Sequence, residues 1–196
     1  MTAGVLEALA QRVRMMIGRG RVRTGSDGAG VQMLQVQLAS VETGDNRPRM
    51  AEFGFSSMPP ADTDAVVVFL AGDRSAGVVV ATNHQASRPR GLKPGETIVY
   101  SQDGKSVYFS DAGIVVDAKG QSVTVQNASV ATIEATTKIV ADTPLFQCTG
   151  DIQDNCETNS RTMKEMRDVY NSHDHAVRNV QAGGSTVTTE HPNQTE

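Results

Sequence analysis

The chain has 196 residues with 18 Lys and Arg against 22 Asp and Glu, and its net charge of −4 argues against nucleic acid as a partner. Val numbers 24 against 7 Leu, and Thr 18, a balance that favours strands over helices. Leu, Ile, Val and Phe together supply 42 residues, about 21% of the chain, close to the level at which a monomer struggles to offset chain entropy, so part of the core is expected from other copies.

At the N-terminus Val5, Leu6, Leu9, Val13, Met16 and Ile17 recur at helical spacing and stop at Gly18 and Gly20, which predicts a short amphipathic helix within residues 1–20. Arg12 and Arg14 interrupt any apolar export region, so the product is expected to begin life in the cytoplasm. The longest apolar run, residues 65–71, is far short of the roughly 20 residues a membrane-spanning helix needs.

From about residue 21 to residue 101 short strands alternate with Gly, Pro, Asp and Asn. Leu34, Val36 and Leu38 alternate with polar neighbours, residues 65–70 and 77–81 are continuous apolar strands, and residues 98–100 follow the turn Lys93-Pro94-Gly95. Four or five such strands suit a small OB-like barrel. Phe53, Phe55, Phe69 and Tyr100 are the only aromatic platforms in this stretch and no basic stripe is evident, so the barrel is expected to be a mount rather than an oligonucleotide groove.

Asp103-Gly104 predicts a hairpin, and after it the pattern shortens. Same-face pairs recur as Val107/Phe109, Ile114/Val116, Val123/Val125, Ile133/Ala135, Ile139/Ala141 and Phe146/Cys148, with corner residues Gly113, Gly120, Asn127 and Asp142 between them. Narrow strands of this composition suit a β-solenoid or an intertwined trimeric β-prism, and an ordinary β-sandwich shares the spacing. Met163, Met166 and Val169 or Tyr170 then predict one short helix over residues 160–171. The Gly183-Gly184, Thr186, Thr188 and Thr189 tail is either a last strand or a frayed end.

His173-Asp174-His175 is the arrangement with the clearest chemistry. In an extended segment both imidazoles point to one side, two nitrogens for one metal, and three chains around an axis supply six, an octahedral set suited to iron or nickel. Two solvated loop histidines are the alternative. His84 and His191 have no ligand spacing, and Cys148 and Cys156, roughly 26 Å apart along one straight strand against a ~7 Å limit, are expected to be thiols. No nucleophile elbow or phosphate loop is present, and Asp62, Asp64 and Asp73 read as turn residues, so no enzyme activity and no small-molecule substrate are expected.

Several segments together resemble one family. They are Arg19-Gly20-Arg21-Val22, the run Phe53-Gly54-Phe55-Ser56-Ser57-Met58-Pro59-Pro60, Gly72-Asp73-Arg74, the stretch from Arg88-Pro89-Arg90 through Gly95-Glu96 into Val99-Tyr100, and His173-Asp174-His175. In this order they resemble the Mu-type baseplate spike proteins of contractile-tailed phages, the baseplate assembly protein V family. The resemblance covers nearly the whole chain. It implies a mainly β homotrimer: an N-terminal helix over 1–20, an OB-like barrel over 21–101, an intertwined trimeric β-helix over 102–159, and an apex over 160–196 with a short helix and a metal site. By the same resemblance His173 and His175 hold one iron per trimer, calcium and chloride are further candidates at the apex, and Asp151, Asp154, Asp168 and Asp174 stay unassigned. The implied role is a membrane-piercing spike at the tail baseplate tip, partnered by a baseplate hub protein and the host outer membrane. A lectin-like receptor-binding tail protein, an OB-fold nucleic-acid binder and a metal hydrolase are the competing readings.

Overall fold

The apolar spacing at the N-terminus folds as α1, Ala3–Arg14, with Arg12 and Arg14 in the last turn where the helix dipole favours positive charge. A computed structural model describes residues 3–178 and 186–191 of the chain. The predicted helix includes Met16 and Ile17, but strand pairing captures both: the Phe69 N–H donates to the Met16 carbonyl at 2.7 Å, and Ile17 lies opposite Val68. A helix end is easily surrendered in this way, because its last carbonyls have no intrahelical partner.

Five strands follow: β1 (Ile17–Ser26), β2 (Gln32–Ala39), β3 (Glu42–Arg49), β4 (Asp64–Phe69) and β5 (Gly77–Asn83). They close a barrel in the order β1-β2-β3-β5-β4, antiparallel throughout except for the parallel β3/β5 contact at Arg49 and Val79. Ala65, Val67 and Phe69 of β4 point inward and join Val22, Leu34, Val36 and Val79 as the core. Burial of each large member stabilises the barrel by about 1.5–3 kcal/mol. Gly20 is required where β1 crosses β2, since a Cβ there would lie 2.4 Å from the Gln37 carbonyl oxygen.

The ring of Phe69 closes the core under two guanidinium groups, Arg74 at 4.1 Å and Arg47 at 5.9 Å from its centroid. Arg74 in turn pairs with Glu42 at 2.6 Å. Of the predicted turn acids, Asp62 and Asp73 lie in turns, whereas Asp64 opens β4 opposite Arg21 and Asn83. Asp62, at φ 62°, pairs with Arg23 at 3.0 Å, and Asp64 lies 3.6 Å from Arg21. Asp73 accepts from the Ser75 hydroxyl and N–H, which lower its pKa.

A helical turn, Leu70–Gly72, seats α1 on the barrel. Gly72 has φ +74°, and a Cβ would stand 2.4 Å from the Arg12 carbonyl oxygen. Gly72→Ala is therefore expected to cost at least about 1–2 kcal/mol from the left-handed backbone alone, and to lift α1. Trypsin should cut at Arg12 and Arg14 faster in Gly72→Ala than in the parent. Gly30→Ala, at a position with open space around it, should match the parent.

Residues 98–100, grouped with the barrel by their sequence, pair elsewhere. The strands β6 (Thr97–Tyr100), β7 (Ser106–Ser110) and β8 (Gly113–Asp117) form a separate antiparallel sheet. The barrel's remaining strand is β3, whose polar residues Glu-Thr-Gly-Asp-Asn-Arg-Pro-Arg bury only Gly44 and so carry no apolar alternation. Asp103-Gly104 makes the predicted turn, Gly104 at φ +89° with its N–H donating to the Ser101 carbonyl. Hydrogen bonds from Lys105, then Ser101, hold the Asp103 carboxyl down to about 2. Register places Val99, Val107 and Val116 beside Phe109 and Ile114 on one apolar face of this sheet.

The chain divides into two compact units, Met1–Asn127 and Ala128–Glu196. Of the expected corner residues, Gly120 and Asn127 turn with positive φ, Gly113 takes a positive φ as the first residue of β8, and Asp142 has no positive φ. Residues 118–162 form no strand ladder within the chain, and every large apolar residue from Val123 to Phe146 is between 63% and 80% exposed. The predicted short strands thus have extended-type composition but no neighbour in their own chain, and a strand without a neighbour has no ladder to form. The second unit contains α2 (Met163–Ser172) and a hairpin of β9 (Ala176–Arg178) with β10 (Thr186–Thr188). A capping box opens α2: the Thr162 hydroxyl accepts from the Glu165 N–H, and the Glu165 carboxylate accepts from the Thr162 N–H. The tail therefore contains a strand at Thr186, Val187 and Thr188; Gly183 and Gly184 lie outside the described residues. Among the described residues no helix is long and apolar enough to cross a membrane.

Candidate metal centre

Two elements converge on the His173-Asp174-His175 segment. At the end of α2 the Ser172 hydroxyl donates to the Asp168 carbonyl at 2.8 Å, and His173 leaves the helix with extended angles of φ −73° and ψ 145°. Its Nδ1 lies 2.5 Å from the Tyr170 carbonyl oxygen. A carbonyl can only accept, so Nδ1 is the donor in this contact, and Nε2 is the ring nitrogen left open to a ligand. The Tyr170 ring stands 5.4 Å from the His173 ring, tilted by 46°. On the other side, the His175 N–H donates to Thr189 Oγ1 at 2.9 Å, and the Thr189 N–H donates to the His175 carbonyl at 3.0 Å.

The two imidazoles lie 5.1 Å apart, centroid to centroid, with their planes perpendicular. Two imidazoles bound at cis positions of one metal, with bonds of about 2.1 Å, place their centroids roughly 4.5 Å apart. The observed separation is close to that spacing, and two imidazole nitrogens per chain are a donor set of the kind that suits a borderline transition metal such as iron(II). Among the described residues of one chain no group of three or more His, Cys, Asp or Glu gathers around a metal. His175 is exposed and His173 half-buried, so both rings remain reachable.

The remaining candidates are dispersed. His84 bonds Ser87 at 2.7 Å in a loop of the first unit, and His191 lies exposed two residues beyond Thr189. Asp154 accepts from Asn159 at 2.9 Å and Asp168 pairs with Lys164 at 2.9 Å, while Asp151 and Asp174 are exposed. Cys148 and Cys156 are free thiols. On the barrel, Arg19, Arg21 and Arg23 alternate along the exposed face of β1, a basic stripe that the sequence reading did not register. Alternation with Gly20 and Val22 was the signal for it. Carboxylates of Asp64 and Asp62 oppose Arg21 and Arg23. Of the predicted aromatic platforms Phe69 is buried, and Phe53 and Phe55 are exposed on the loop after β3.

Thr189 also escaped the sequence reading. Only the β9/β10 register, with Thr188 opposite Ala176, brings it against His175.

Comparison with known proteins bears on about three quarters of the chain. A family described as Bacteriophage Mu Gp45, N-terminal, matches residues 19–86, which hold nearly all of the closed barrel. The baseplate puncturing device gp45 of Escherichia phage Mu is 30% identical over 149 residues, 76% of this chain and 71% of that protein. The Mu-like prophage FluMu protein gp45 of Haemophilus influenzae is 29% identical over 109 residues, 56% of this chain and 59% of that protein. At such identity the chain is a relative of the Mu protein and distinct from it. With a matching barrel and an alignment that runs across most of both sequences, the chain belongs to the bacteriophage Mu Gp45 family.

Proposed function

We propose that this protein is the central spike of a contractile phage tail baseplate, which opens the host outer membrane as the tail contracts and DNA is delivered. The observation that carries this reading is its relationship over 149 residues to a protein named as a baseplate puncturing device. The working form is a homotrimer. Its shaft is built from the segment whose large apolar residues stand exposed in the single chain, and the apolar face of the β6-β7-β8 sheet is covered by the same sheet of the other two chains. Interlocked strands from three chains leave few free edges and resist force along the axis.

The barrel and α1 form the mount on a baseplate hub protein. Val5, Leu6, Leu9 and Val13 support this role, because each stays more than half exposed. In the second unit His173 and His175 of three chains hold one iron ion, with calcium and chloride as further apex ions, and the six nitrogens fill its coordination sphere. The ion fastens three chains where each has little core of its own. The protein is made in the host cytoplasm and works in the virion, at the baseplate tip.

Virions whose spike ends at Ser172 test the piercing role. They are expected to assemble, to adsorb at the normal rate and to deliver DNA poorly. Failure to adsorb would favour a receptor-binding tail protein, and normal delivery would remove the tip from the mechanism.

A further inference from the structure

We propose that Thr189 is a positioning residue for the metal at His173 and His175, an inference that rests on the metal reading above. The two ligands are held by different elements. His173 is fixed by the end of α2 through its own ring, Nδ1 donating to the Tyr170 carbonyl. His175 is fixed through its backbone: its N–H donates to Thr189 Oγ1 at 2.9 Å, and its carbonyl accepts the Thr189 N–H at 3.0 Å. The Thr189 side chain thus stands where a ladder carbonyl would stand, and one residue closes both backbone groups of a ligand 14 positions away. With His173 tied to the helix, the perpendicular 5.1 Å arrangement of the rings depends on where this hairpin sets His175. A side chain that orients a metal ligand typically contributes 10–100-fold to metal affinity.

Thr189→Val replaces the hydroxyl with a methyl group of similar volume and leaves the backbone bond in place. Thr189→Ser keeps the hydroxyl. Each variant of the full-length chain is loaded with iron(II), and loss of iron to an excess of a bipyridyl chelator is followed alongside amide exchange at His175. Thr189→Val is expected to release iron about tenfold faster than the parent and to exchange the His175 amide faster, while Thr189→Ser matches the parent in both. Parent-like release from Thr189→Val, with His173→Ala and His175→Ala devoid of iron, overturns the positioning role and leaves the metal reading standing. Equal acceleration in Thr189→Ser and Thr189→Val also overturns it, because the hydroxyl is then irrelevant. Iron retained by His173→Ala and His175→Ala overturns the metal reading itself.

Discussion

If the proposed trimer and metal centre hold, alanine at His173 or at His175 is expected to empty that centre, from one iron per three chains to a trace. Each substitution acts three times, so a single change removes three of six nitrogens. Loss of one orienting neighbour already weakens metal sites by 10–100-fold, and loss of three direct ligands must exceed that. The shaft should remain folded, because residues 118–162 lie upstream of the site and make no bond to either histidine. The tip from about Ser172 onward should become sensitive to protease, since α2 and the β9/β10 hairpin are small elements with exposed apolar residues. Elemental analysis checks the result. Unchanged iron in both variants would falsify the assignment, and zinc at one ion per chain would point to tetrahedral ligation and an open coordination position.

Aspartate at Val125 together with Ile139 is expected to convert the trimer to monomers. Both side chains are largely exposed in the single chain, 80% and 63%, so the charges cost the isolated chain almost nothing. In the proposed shaft of three chains the same positions would lie at the shared interior, where an unpaired ion costs several kcal/mol, and threefold symmetry would multiply the cost by three. Sedimentation equilibrium should give about 62 kDa for the parent, three chains of 20.8 kDa, and 20.8 kDa for the variant. The barrel should melt as in the parent, because its core of Val22, Leu34, Val36, Ala65, Val67, Phe69 and Val79 is untouched. A monomeric parent, or a variant that remains trimeric, would sink the proposed shaft.

Short-range chemistry was legible in the amino-acid sequence. Apolar alternation marked β2, continuous apolar runs marked β4 and β5, the Asp103-Gly104 pair marked the β6/β7 hairpin, and the spacing of three and then three or four residues from Met163 to Met166 to Val169 or Tyr170 marked α2. The one-residue spacing of His173 and His175 placed both rings together, because alternate residues of an extended chain share a side. Each of these signals lies within a few residues, where backbone geometry alone decides which side chains meet.

What the tertiary structure decided involves partners distant in sequence. The polar strand β3 has no pattern of its own and is a strand because β2 and β5 flank it. Ile17 reads as the last turn of a helix and becomes the first residue of β1 because Val68 supplies a ladder partner. Asp62 and Asp64 face arginines only once β1 and β4 are paired, which turns a basic stripe into a largely compensated one. Thr189 reaches His175 through the hairpin register, and the His173 ring is oriented through Nδ1 by the Tyr170 carbonyl at a helix end. A sequence pattern records what each residue prefers, whereas register and closure determine which neighbour satisfies that preference.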